Sequence, residues 1–165
     1  MVDELLKNEF DEAVEHTDLF DQRTSSYSSI EEARAPYRTI QDYRDLRVWQ
    51  LAMDFAIAIY QSTNAFPTDE RFGLTSQLRR AAVSVPSNIA EGNARNSTAD
   101  YLRFLRISRG SLAEINTHLL IAKRLGYLDD GSSSSLLSKT DELMRQLTSM
   151  HSAIERSAAG NNRSP

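Results

Sequence analysis

A chain of 165 residues suffices for one ordinary domain with extensions. It contains no cysteine, which excludes a disulfide scaffold, thiolate zinc sites and a cysteine nucleophile, and no apolar run approaches the roughly 20 residues of a membrane span. The net charge of −4 is uneven: residues 1–40 carry 10 acidic and 4 basic side chains (net −6), whereas residues 41–165 carry 13 acidic and 15 basic (net +2), 13 of the latter being arginine.

Residues 1–40 read as an acidic N-terminal arm, partly helical or mobile. Leu5, Leu6, Phe10, Ala13 and Val14 lie at helical spacing, which predicts a short amphipathic helix near residues 2–16. TSSYSS at 24–29 has the composition of a linker, and Ser29 with Glu32 fits the capping box of one short turn ending before Pro36. The acidic start lacks the basic segment and long apolar run of a signal peptide, so a cytoplasmic protein without membrane attachment is expected.

Residues 41–157 predict an antiparallel up-and-down four-helix bundle, an all-α fold with the acidic arm as a helical extension. The first helical pattern runs from about Tyr43 to Asn64 and stops before Phe66-Pro67. The second starts near Thr68, with Asp69 and Glu70 where the helix dipole favours acids, and runs to Gly92 as its stop. Pro86 lies deep inside it, where a proline removes a backbone donor; Ser84 and Ser87 are placed to hydrogen-bond the disturbed backbone. The third starts after Ser97 and stops at Gly126. The fourth starts between Asp130 and Ser133 and fades past Ile154, leaving 158–165 as a disordered tail. The short connections make sequential helices antiparallel neighbours.

Two helices are apolar over more than one face. In the third, Tyr101, Phe104, Leu105, Ser108, Leu112, Ile115, Leu119 and Ala122 form the core stripe, and Ile107, Glu114 and Ile121 form a second stripe with Gly110 beside it. In the first, Trp49, Ala52, Ala56 and Ile59 form one stripe, and Leu51, Phe55 and Ala58 another; Arg47, Gln50, Asp54 and Gln61 are polar. A second apolar stripe needs a second partner, most simply another subunit, which makes Trp49, Ile107, Gly110 and Ile121 the candidate oligomer interface. A wide stripe inside a monomer, or one lying under the arm, is the competing explanation.

Two polar groups stand out. Arg79, Arg80, Asn88, Glu91 and Glu114 suit either a ligand site or, as the favoured reading, a structural network fixing helix register or subunit contacts. Arg95, Arg103, Arg106, Arg109 and Arg124 are candidate nucleic-acid-binding residues, because repeated cationic contacts to phosphate gain avidity in an oligomer. A solvated face paired with acids is the blander alternative. His16, His118 and His151 are far apart with no metal-ligand spacing, and no P-loop, GxGxxG or GxSxG pattern occurs; no catalytic residue, metal site or cofactor is assigned.

The motifs DLRVWQLAMDFAIAIY, FP, FGLTSQLRRAAVSVPSNIAEG, YLRFLRISRGSLAEI and LGYL appear in an order that resembles the four-helix-bundle proteins named for bacterial 23S rRNA intervening sequences. The same fold family includes the accessory variability determinant of diversity-generating retroelements. The resemblance covers about Tyr43 to Ile154. It implies a homopentameric barrel and does not imply an enzyme; in the retroelement branch it implies binding of a reverse transcriptase and nucleic acid through a strongly basic surface, whereas this chain has a sequence pI near 5.4. The expected function is a non-enzymatic oligomeric scaffold or adaptor, with RNA or a nucleic-acid-processing enzyme as candidate partner. The alternative is a pure protein–protein interaction module.

Overall fold

In the computed structural model, residues 42–95 and 97–161 are described. They form α1 (Arg47–Ser62), α2 (Leu74–Ala94), α3 (Thr98–Arg124) and α4 (Asp130–Asn161), with no strand among the described residues. The arm's predicted helix near 2–16, its linker and its short turn lie outside the described residues, as do the last four positions of the tail.

α1 is shorter than its pattern because 3₁₀ turns flank it, Tyr43–Asp45 before and Thr63–Ala65 after. Asp42 caps the first turn, accepting from the Arg44 N–H at 2.9 Å; that bond and the Arg44 side chain hold its carboxyl below the ordinary aspartate value. The buried face comprises Val48, Ala52, Phe55, Ala56 and Ile59, so Ala52 and Phe55, expected on different stripes, share one core face.

α2 begins six residues later than expected. Thr68–Arg71 is a separate 3₁₀ turn, and the chain breaks at Phe72-Gly73 before helix resumes at Leu74. Glu70 explains the arrangement: its Oε2 accepts from the Leu74 N–H at 2.8 Å, capping α2 from the preceding turn. A Cβ on Gly73 would collide with that carboxylate. Gly92 is no stop signal either. It lies inside α2 and is buried, because an added Cβ would meet Tyr101 Cδ2 at 2.7 Å and Phe104 Cβ at 2.8 Å. The glycine marks a close helix crossing.

α3 starts as predicted, with Ser97 Oγ accepting from the Asp100 N–H at 3.3 Å, and the chain leaves it at Gly126, whose φ of +75° suits glycine. Asp129 introduces α4 by accepting from the backbone N–H and the hydroxyl of Ser132, at 2.8 and 2.6 Å. α4 continues to Asn161, past the expected boundary at 157, so residues 158–161 are helical rather than part of a disordered tail.

The cross-helix partners establish direction. Ser84 meets Ser111 while Gly92 meets Phe104, so α2 and α3 run antiparallel. Arg106 meets His151 while Lys123 meets Asp130, so α3 and α4 do as well. α1 packs on both α2 and α4, closing the bundle. Leu78, Val85, Ile89, Leu105, Leu112, Ile115, Leu119, Leu147, Met150 and Ile154 fill its centre; removing this apolar surface from water is the main force holding the helices together.

Candidate interaction surfaces

Pro86 sits at the centre of a polar seam. Three successive carbonyls of α2 each receive a side-chain donor: Val83 O from Ser87 Oγ at 2.8 Å, Ser84 O from Asn88 Nδ2 at 2.7 Å, and Val85 O from Ser108 Oγ at 3.1 Å. The Ser111 hydroxyl donates to Ser84 Oγ at 2.8 Å, stitching α3 to the same stretch. The carbonyl that loses its helical donor to Pro86 is that of Ala82, so these bonds do not replace the missing one; they give the next three carbonyls an additional donor, and the small side chains let two helices approach closely.

The five residues expected to form one polar network separate into distinct places. Arg79 turns toward the end of α1: its Nε donates to Thr63 Oγ1 at 2.8 Å and its Nη2 to Asn64 Oδ1 at 2.9 Å. Asn88 belongs to the proline seam. Glu91 forms an exposed ion pair with Arg95 at 2.6 Å. Arg80 and Glu114 are exposed, and neither has a salt-bridge partner among the described residues. Within one subunit the sequence spacing overstated their connection, because Asn88 turns back onto Ser84 of its own helix while Glu91 reaches Arg95 at the end of that helix.

The candidate nucleic-acid arginines also differ in availability. Arg106 is exposed but engaged, its Nε donating to the buried His151 at 3.2 Å, while His151 Nδ1 lies 3.3 Å from Glu155. Arg109 is half-buried. Arg95 is held by Glu91, whose hydrogen bond raises the guanidinium pKa further. Arg95 and Arg103 both lie over the Phe104 ring, at 5.6 and 5.8 Å. Arg103 and Arg124 are exposed and lack a carboxylate partner among the described residues.

Two apolar surfaces are uncovered among the described residues. On α3, Ile107 and Ile121 are 41% and 42% exposed, Leu125 is exposed, and a Cβ on Gly110 would meet nothing within 4 Å. The second surface was missed in the sequence. Met53, Ile57 and Tyr60 recur at i, i+4 and i+7 on α1 and are all exposed; with Trp49 from α1 and Val83, Pro86 and Ala90 from α2 they line a groove of about 600 Å³. The spacing was visible, but alanine-rich α1 offers apolar residues in almost every direction. Trp49 is half-buried and stacks edge-on with Tyr43, their ring centroids 5.2 Å apart. Beyond Tyr60 and Val83 the groove passes into a basic stretch containing Arg71, Arg79 and Arg80.

Comparison with known proteins places this geometry. The sequence model of the 23S rRNA-intervening sequence protein family matches residues 44–149. The fold is similar to a crystal structure from Bacteroides thetaiotaomicron of a protein of unknown function from the S23 ribosomal protein family. The two are 24% identical, with a TM-score of 0.57, over 63% of this chain and 97% of the other. No curated protein matches the sequence.

Proposed function

This chain belongs to the 23S rRNA-intervening sequence protein family, and on that premise we propose that it is a non-enzymatic, self-assembling helical scaffold that presents arginines to structured RNA. The observation that carries self-assembly is the exposed stripe of α3. Ile107 and Ile121 lie two heptads apart on one outward line, with Gly110 leaving room for close approach. The resemblance of the sequence motifs favours a homopentamer. Glu114, on the same line, would then need a cation from the neighbouring subunit.

Arg103 and Arg124 support the RNA partner, since both are exposed and free of carboxylates among the described residues. A ring repeats them around its circumference, which raises avidity without new contacts. The second reading, a protein-interaction module without RNA, draws support from the engagement of Arg95 and Arg106 by Glu91 and His151.

Light scattering coupled to size exclusion tests assembly: Ile107→Asp or Ile121→Asp should give monomers of unchanged helix content, and an unchanged oligomer would reject the α3 interface. Fluorescence anisotropy with a structured RNA at two salt concentrations tests the partner. Binding that weakens steeply with salt and falls in the Arg103→Glu/Arg124→Glu double variant supports the scaffold. Absence of binding leaves the protein-interaction module.

A further inference from the structure

We propose that the α1/α2 groove is the docking site of this chain's own residues 2–16. The groove is built for an amphipathic helix: its floor is Ala56 and Pro86, and its walls are Trp49, Met53, Ile57 and Tyr60 on one side and Val83 and Ala90 on the other. Ile57 is 51% exposed and Val83 44%, large apolar side chains with no cover among the described residues. Such a face loses contact with water only if something lies on it.

Three features identify the occupant. The described chain begins beside the groove, where Tyr43 is itself a lining residue, so residues 1–41 enter the fold at this surface. Within them, Leu5, Leu6, Phe10, Ala13 and Val14 offer an apolar stripe at helical spacing. The charges match as well. Residues 2–16 contain Asp3, Glu4, Glu9, Asp11, Glu12 and Glu15 against a single lysine; the groove continues into Arg71, Arg79 and Arg80, which have no carboxylate partner among the described residues.

The dimensions agree. A helix over 2–16 spans about 22 Å, and the distance from Trp49 to Tyr60 along α1 is about 16 Å, which leaves a further turn to lie toward the arginines. Residues 17–41 reach roughly 80 Å when extended, so the connection imposes no geometric limit. Tethering supplies an effective concentration on the order of millimolar, so an intrinsic affinity of about 10 μM keeps the groove about 99% occupied. The groove and the α3 stripe are separate surfaces, so arm docking holds whether or not subunits assemble through α3.

Trp49 is the only tryptophan of the chain and lines the groove, so the full-length protein carries its own reporter. Acrylamide quenching of Trp49 should be weak in the wild-type protein. It should rise at least about two-fold, with red-shifted emission, in Leu6→Asp/Phe10→Asp, and to an intermediate level in Arg80→Glu. A retained cooperative thermal transition distinguishes release of the arm from unfolding. As a second readout, amide exchange at residues 5–14 should be slow in the wild type and fast in Ile57→Asp. Equal quenching in wild type and Leu6→Asp/Phe10→Asp, or equal exchange in wild type and Ile57→Asp, overturns the proposal. So does protection of Trp49 that disappears on dilution, which would assign the groove to another copy.

Discussion

The glycines of α2 and α3 show how one residue type serves opposite ends. Glycine in a helix interior costs about 1 kcal/mol relative to alanine. At Gly92 that gain is unavailable, because a methyl group would press on Phe104 Cβ and the Tyr101 ring. Overpacking of this kind costs about 1–3 kcal/mol, so Gly92→Ala should lower stability in urea denaturation. Gly110 has open space. Gly110→Ala should therefore stabilise the isolated subunit by about 1 kcal/mol, while weakening an assembly that uses the space; size exclusion alongside denaturation separates the two effects. Glu91→Ala, by contrast, should leave stability near wild type, since its ion pair with Arg95 is exposed on both sides.

At the level of the element, the helix starts are set by side chains that reach back or forward over a few residues. Glu70 caps α2 from outside it, and Glu70→Ala should cost about 1 kcal/mol, the usual loss for a missing cap. Asp129 caps α4, and its hydrogen bonds from the Ser132 side chain and backbone hold its carboxyl below the ordinary aspartate value. Its folded pKa is lowered, so its contribution is complete above the ordinary value of about 3.9 and disappears as pH falls through the lower folded value. Amide exchange at Ser132 and Ser133 should accelerate over that acid window in wild type, and an Asp129→Asn variant should lack this dependence. These starts also mark what the sequence could and could not reveal. Ser97 and Gly126 were legible because cap and stop act locally. The start of α2 was not, because Glu70 acts across an unusual turn at Gly73. Gly92 was misread as a stop because the Tyr101 and Phe104 contacts that require it come from another helix. The α3 stripe was legible from its heptad spacing, whereas Met53, Ile57 and Tyr60 were hidden among the alanines and isoleucines of α1. The engagement of Arg106 depended on His151 of α4, beyond anything helical periodicity within α3 conveys.

For the whole molecule, four helices joined by short turns have a geometric consequence. An even number of antiparallel passes returns the chain to the pole where it entered: Tyr43, the α2–α3 turn at Arg95–Ser97 and the end of α4 share one end, and the α1–α2 and α3–α4 connections share the other. A closed ring of such subunits, all oriented alike, is a particle with two unlike faces. One would bear the Tyr43 end of every α1 and every α2–α3 turn; the other would bear the α1–α2 and α3–α4 connections. A gold label attached at the α2–α3 turn should therefore appear on a single face in electron micrographs, and a surface that captures that label would hold every particle with the same side toward solution.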